Sequence, residues 1–302
     1  MSATSVLYDT PGTRAKRRNI IYTIVFLVLF ALAGWWVLAA MAEKDQLAAE
    51  KWSPFVTDSE VWTTYLLPGL GNTLQAAALA IVIALPLGAL LGVGRLSDHA
   101  WVRIPVGAVV EFFRSIPVLL MMVFASALYA KFTDVSSDFR PLYAVVTGLV
   151  LYNASVIAEI LRAGILTLPR GQTDAAKAIG MRKGQTMSYV LMPQAVTTML
   201  PSLVSQLVVT VKDTALGGAI LGFSELLAQN RAITANYGAN TIATLVVIAL
   251  IYIVLNSLLT AFAGWLEKWL RRGKKSSGEV PRTGEPHTAH GPGHTVDGVH
   301  AA

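Results

Sequence analysis

Six apolar runs, each close to the roughly 20 residues a helix needs to cross a bilayer, divide the chain at 20–41, 71–94, 104–130, 142–161, 195–221 and 242–266. Inside hydrocarbon no water satisfies backbone N–H and C=O groups, so runs of this length must close their hydrogen bonds within themselves as helices. The expected fold class is an all-α integral membrane protein with six transmembrane helices. Composition agrees: 54% of the 302 residues are hydrophobic and 14% charged, too apolar a balance for an ordinary soluble domain. The chain has no cysteine, which excludes a disulfide framework and a thiolate metal site.

Lysine and arginine set the expected orientation. With the N-terminus inside, Arg14, Lys16, Arg17, Arg18, Arg95, Arg103, Arg162, Arg170, Lys177, Arg182, Lys183, Lys268, Arg271, Arg272, Lys274 and Lys275 all fall on the cytoplasmic side. Only Lys44, Lys51, Lys131, Arg140 and Arg231 fall outside. This asymmetry places both termini of a multi-pass membrane protein in the cytoplasm. The formal net charge of +6 is thereby used in orientation. No basic face with interleaved aromatics points to nucleic acid.

The basic N-terminus, 1–19, and the first run, 20–41, also admit a cleavable signal peptide, since "RAKRR" precedes the run and "AMA" ends it. The run exceeds the roughly 7 to 15 residues of a signal-peptide core, which favours an uncleaved extra N-terminal helix. Between the first two runs, 43–71 reads as an extramembrane stretch whose Trp52, Trp62 and Tyr65 suit the interface. After the last run, 273–302 is rich in Gly, Pro, Ser, Thr and His and reads as a disordered cytoplasmic tail. Its His287, His290, His294 and His300 are too irregularly spaced for a metal site, and none is expected elsewhere.

Charges inside apolar runs need compensation, because an intramembrane charge costs at least about 2.5 to 3.5 kcal/mol. Glu111 lies three residues before Arg114, on one helical face. The pair reads equally as a structural ion pair or as part of a translocation pathway or gate. If the run is one straight helix, Arg114 sits about 15 Å along it, near mid-bilayer. Lys212 and Asp213 are adjacent, so they do not face each other and each needs another partner. They are read as cavity-lining. Glu159 and Arg162, again three apart, lie where the fourth run emerges and suit an interfacial bridge, with a cytoplasmic gate as second role. Asn153, Ser155, Gln206 and Thr210 suit hydrogen bonding between helices or a polar route.

The least membrane-like part of the middle is 168–193. Pro169 suits a first helical turn, Ala175, Ala176 and Ala178 favour helix, and Gly180 suits a left-handed stop. A second short helix is expected over 183–191, ended by Pro193, which opens the next span. This helix, glycine turn and helix unit reads either as an ordinary connector or as a rigid docking knob.

Here the chain resembles the membrane-spanning permease subunits of ATP-binding-cassette importers. Their cytoplasmic signature is matched by Asp174, Ala175, Ala176 and Gly180, with Val190, Met192 and Pro193 at the later positions. Aspartate replaces the usual glutamate. A narrower resemblance is to the polar amino-acid permeases of the histidine, glutamine and glutamate group. It rests on "NTL" at 72–74, "FFRSIP" at 112–117, "AEILRAGI" at 158–165, "GQTDAA" at 171–176, "MPQA" at 192–195 and "KDTAL" at 212–216, together covering 69–266.

The resemblance implies a type I importer fold with a five-helix core plus one extra helix. Asp174, Ala175, Ala176, Gly180 and Arg182 then contact separate ATPase subunits, which bind ATP and magnesium. A second permease subunit, identical or homologous, and an extracytoplasmic amino-acid-binding protein complete the assembly. Polar amino acids, glutamate first, are the implied substrates. The chain lacks a G-x-x-x-x-G-K-[ST] loop and shows no nucleophile constellation, so it is expected to be a transporter subunit without enzymatic activity. The alternative is an ion-coupled secondary transporter or channel, in which the mid-span charges would hold ions.

Overall fold

A computed structural model describes residues 12–272. Among these the regular structure is helical: α1 (Thr13–Glu43), α2 (Ala49–Trp52), α3 (Pro54–Thr57), α4 (Leu67–Arg95), α5 (Ala100–Ser115), α6 (Val118–Phe132), α7 (Arg140–Leu166), α8 (Arg170–Ala178), α9 (Lys183–Gln185), α10 (Met192–Leu221), α11 (Gln229–Asn236) and α12 (Thr241–Arg272). The tail expected at 273–302, with its four histidines, lies outside the described residues, as does most of the basic N-terminus.

Two spanning helices are longer than the apolar runs. Each gains a π turn that runs into a proline: Val61–Leu66 leads into α4 at Pro68, and Thr186–Leu191 leads into α10 at Pro193. A proline lacks the N–H for the residue four back and crowds that carbonyl, and a widened turn relieves both problems. The continuous helices are therefore Val61–Arg95 and Lys183–Leu221. Two points differ from the sequence reading: residues 61–71 are helical and continuous with the second apolar run, and Pro193 is absorbed within one helix where an interruption was expected.

The third run is also corrected, in the opposite sense. It breaks into α5 and α6, bent by 100°. A residue before proline is pushed out of the helical region, and Ile116 is extended at φ −90°, ψ 130° ahead of Pro117. Arg114 therefore ends a helix and does not sit midway along a straight one.

The core centres on α7, whose small and branched residues Ala144, Val145, Leu149, Ala154 and Ile157 are buried. α4 approaches it through glycine. A Cβ on Gly88 would lie 2.7 Å from the Ala154 carbonyl oxygen, and one on Gly92 3.0 Å from that of Ala158. Small residues that let backbones close up are how membrane helices gain packing energy, since lipid removes the hydrophobic drive between them. Asn153 adds a polar lock: buried, it accepts from Gln206 Nε2 at 2.7 Å and Thr210 Oγ1 at 2.9 Å, joining α7 to α10. α1, by contrast, buries none of its residues.

The bundle has two chemically different ends. At one end Phe55, Val61, Leu66, Leu226, Ile233 and Ile248 form an apolar cap fastened by Tyr237 Oη donating to Asp58 at 2.6 Å and Lys51 Nζ to the Gly238 carbonyl at 2.7 Å. The other, basic end carries Arg95, Arg162 and the α8–α9 segment.

Candidate functional site

The segment at 168–193 forms as a compact unit on the basic end. Pro169 is extended and opens α8. Gly180 adopts φ +80°, which a side chain would strain, and the Met181 N–H closes the turn on the Ala176 carbonyl at 3.0 Å. Arg182 is extended, and its N–H is accepted by Gln185 Oε1 at 2.9 Å as the next helix starts. Ala176 is buried, while Asp174, Ala175, Gly180 and Arg182 are exposed. One face of α8 thus seats the unit and the other is open. Beneath it, Ile165, Met187, Leu191 and Ala195 form a small apolar cluster at the root of α10.

Lys183 ties this unit to a second helix. Its Nζ donates to the Leu96 carbonyl at 3.0 Å and pairs with the Asp98 carboxylate, just past the end of α4. The hydrogen bond from Lys183 holds the Asp98 carboxyl below the usual carboxylate range, against a smaller opposing effect of desolvation.

Adjacent to Leu96, Arg95 reaches into a cluster of five charges. Its Nη1 donates to Glu159 Oε2 at 2.6 Å and its Nη2 to Glu111 Oε1 at 3.0 Å. Arg114 approaches Glu111 at 3.5 Å and Glu159 at 3.9 Å, and Arg162 bonds Glu159 at 3.0 Å. The Glu111 and Arg114 pair and the Glu159 and Arg162 pair, separate in the sequence reading, are one network in space. Glu159 meets all three arginines, and the one that bridges it most closely to Glu111 is Arg95, which the sequence alone places in a cytoplasmic loop. It stands 64 residues from Glu159, so no spacing rule could connect them.

Lys212 and Asp213 diverge, as adjacent helical positions must. Asp213 shares a cleft of about 440 Å³ with Arg114, Pro117 and Tyr152, at the bend between α5 and α6. Lys212 faces away, into a cleft of about 680 Å³ lined by Tyr252, Asn256, Ser257 and Thr260 of α12.

Sequence reading also missed Glu225, in the short link after α10. It is fully buried and accepts from the Leu227 and Ala228 N–H groups at 2.8 and 2.7 Å and from Tyr252 Oη at 2.8 Å. A buried carboxylate persists only when its acceptors are filled. Gly218 makes room, since a Cβ there would stand 1.9 Å from Glu225 Oε1. Thr73 Oγ1 accepts the Leu226 N–H at 3.1 Å, so the link is pinned to both α4 and α12. The only sequence signal is an acid three residues ahead of Ala228, a position from which it can cap a helix start.

The chain as a whole matches known proteins. A family model described as the binding-protein-dependent transport system inner membrane component matches residues 84–272. The chain belongs to this family. The glutamate transport system permease protein GluD of Corynebacterium glutamicum is 46% identical over 245 residues, 81% of this chain and 89% of that protein. The glutamate/glutamine/aspartate/asparagine transport system permease protein BztC of Rhodobacter capsulatus is 32% identical, over 71% of this chain and 49% of its own length.

Among solved structures, an amino acid ABC transporter crystallised with histidines matches at TM-score 0.60 and 26% identity, over 69% of this chain and 95% of that chain. The inward-facing MetNI methionine ABC transporter matches at TM-score 0.57 and 23% identity, over 71% and 99%, and supports the fold alone. This chain is thus a multi-pass membrane permease component with an ABC importer permease fold. Nothing in these similarities supports the ion-coupled or channel alternative.

Proposed function

We propose that this permease subunit imports an amino acid, glutamate first, driven by separate ATPase subunits that dock on α8. The observation carrying the reading is the seating of α8: Ala176 buried, Asp174 and Ala175 exposed, and the unit continuous with the spanning helix Lys183–Leu221. A short helix fixed in this way transmits rigid-body displacement, which a loop would absorb. The 46% identical relative is named for glutamate transport, which supports the substrate.

In this reading the basic end is cytoplasmic, as the lysine and arginine distribution requires, and both termini lie there. A second permease subunit, identical or homologous, completes the membrane dimer, and an extracytoplasmic binding protein delivers substrate to the end that carries the apolar cap. ATP and magnesium are held by the ATPases. Asp174, Ala175, Ala176, Gly180 and Arg182 receive their motion. Lys183 passes it to Asp98 and to Leu96, the residue next to Arg95. Glu159 and Arg162, with Glu111 and Arg114, then act as an inner gate whose ion pairs re-form differently in each access state. ATP-driven closure shifts that equilibrium only through contacts that differ between the states.

The test is purification with the cognate ATPase, reconstitution with the binding protein, and uptake of radiolabelled glutamate, glutamine, arginine and histidine. Uptake of glutamate that stops when the ATPase loses hydrolysis is expected. Uptake by this chain alone on an ion gradient would defeat the proposal.

A further inference from the structure

Lys183 and Asp98 border a cleft of about 530 Å³ between the end of α4, the start of α5 and α9. Its floor is apolar, made of Leu90 and Val93 on α4, Val102 on α5 and Met187. Leu90 is 70% exposed and lies five residues before Arg95, the end of α4, about 8 Å inward along the helix. The floor therefore starts at acyl-chain depth. Trp101, 77% exposed, stands at the mouth with its ring 6.0 Å from that of His99, and an indole suits the headgroup level.

The mouth is polar, with Ser97, Asp98, His99, Lys183 and Ser188. Asp98 is the one acid in this lining and is already engaged by Lys183. Donors, by contrast, are in excess. An ammonium carries three N–H groups, and Lys183 spends two of them, on Asp98 and the Leu96 carbonyl. Ser97 Oγ accepts the His99 N–H at 3.3 Å, which leaves its own proton to donate. Ser188 is exposed, with its hydroxyl unspent among the described residues. Arg103 Nη1 donates to the Ser97 carbonyl at 3.3 Å, which brings a second cation to the rim with no carboxylate within 4 Å of it among the described residues.

An apolar floor at acyl depth, under a mouth with spare donors and a single satisfied acid, is the complement of a phosphodiester that carries an alkyl chain. We propose that this cleft holds one phospholipid of net negative headgroup, drawn from the leaflet at the basic end. Its phosphate meets Lys183, Ser188 and Arg103, and an acyl chain lies along Leu90, Val93 and Val102. Zwitterionic headgroups are disfavoured, because Lys183 occupies the carboxylate that would accept their cation. The lipid bridges α5 and α9 across the joint that Lys183 makes with Leu96 and Asp98. Such binding is independent of the import reading.

The test uses the purified permease and ATPase complex, delipidated in detergent and titrated with dioleoyl phosphatidylglycerol or dioleoyl phosphatidylcholine, with retained lipid counted by native mass spectrometry. One phosphatidylglycerol per permease subunit should be retained, preferred over phosphatidylcholine by at least about tenfold, the scale of a charge-assisted hydrogen bond. Ser188→Glu puts a carboxylate in the mouth and should abolish the preference. Arg103→Gln, which adds no charge, should lower it about threefold and serves if Ser188→Glu fails to assemble. Exchanging Lys16 and Arg17 of α1 for Gln should leave it unchanged. Phosphatidylglycerol should also slow amide hydrogen exchange in 96–103 and 183–188, and should fail to do so in Ser188→Glu.

Equal retention of the two lipids would overturn the proposal, as would a preference that survives Ser188→Glu and Arg103→Gln. Loss of the preference on changing Lys16 and Arg17 would move the site to α1. Displacement of the lipid by inorganic phosphate or glycerol 3-phosphate would assign the mouth to a free anion. Loss of the ATPase from the Ser188→Glu complex, with the lipid preference unchanged, would give the cleft to the ATPase.

Discussion

Arg95 Nη1 stands 2.6 Å from Glu159 Oε2, joining the last residue of α4 to the start of α7's final third. Arg95 is only 13% exposed in its side chain, so the bond is shielded from solvent more than those of Arg114 and Arg162. Replacing Arg95 by Ala should cost about 2 kcal/mol, in the range of a charged hydrogen bond, because Glu111 and Glu159 lose their nearest common partner. Thermal unfolding of the detergent-solubilised complex checks this, and Arg95→Lys should recover part of the loss.

Arg114 belongs to the same cluster but also lines the cleft at the α5 and α6 bend. Arg114→Ala should therefore leave assembly intact and lower uptake by at least about tenfold, the scale of one lost charged bond. Unchanged uptake in an assembled complex would return Arg114 to a structural role.

On α8, two neighbouring alanines should respond differently. Ala175 is exposed and Ala176 is 4% exposed. A bulky charge at Ala175, as in Ala175→Arg, should uncouple hydrolysis from uptake while the protein inserts and folds. The same change at Ala176 should unseat α8 from the root of α10, through overpacking of about 1 to 3 kcal/mol and burial of a charge. Proteolysis of the segment separates the two outcomes.

Gly88 is a sterically demanded glycine. A Cβ would lie 2.7 Å from the Ala154 carbonyl oxygen and from Ile157 Cβ, and backbone cannot yield as a flexible side chain does. Gly88→Ala should cost about 1 to 3 kcal/mol. Gly71→Ala, in the same helix with open space around it, should change unfolding little.

At the apolar cap, the hydrogen bond between Tyr237 and Asp58 gives a signed pH dependence. It pushes the Tyr237 phenol up to about 12 and, with the Glu60 N–H, holds the Asp58 carboxyl below its usual range. The raised phenol contributes stability that is complete below the ordinary tyrosine value near 10 and is lost as pH rises towards about 12. The depressed carboxyl contributes stability that is present above its ordinary value and lost as pH falls through its folded one. The ultraviolet titration difference between the protein and Tyr237→Phe should place the phenol near 12. Asp58→Asn should return it towards about 10.

Legibility followed the range of the interaction. The spans were readable because each satisfies its own backbone, and the α8 unit because proline, alanine and glycine act within one or two turns. Glu159 and Arg162 were visible as a pair at three-residue spacing. Arg95 was not, since its carboxylates lie 16 and 64 residues away. Glu225 hid for the same reason: its burial depends on Gly218, Thr73 and Tyr252 converging from three helices. Prolines divided the boundaries unevenly. Pro117 broke a helix at a residue already pushed extended, whereas Pro68 and Pro193 were absorbed by π turns, and a local rule cannot choose between these outcomes without the packing around them.

By itself, then, the sequence determined that the chain is built of apolar helices, the uneven distribution of charge and the existence of a helical unit closed by Gly180. All are properties of backbone satisfaction, transfer energy and local conformation. Only the tertiary structure decided how the charges within the apolar runs are spent, pairing Arg114 with Glu111 and Glu159 beside Arg95 while turning Lys212 into the cleft beside Asn256. Coulombic and hydrogen-bond energies depend on separations of a few ångströms, and helix packing sets those separations between residues that the chain keeps far apart.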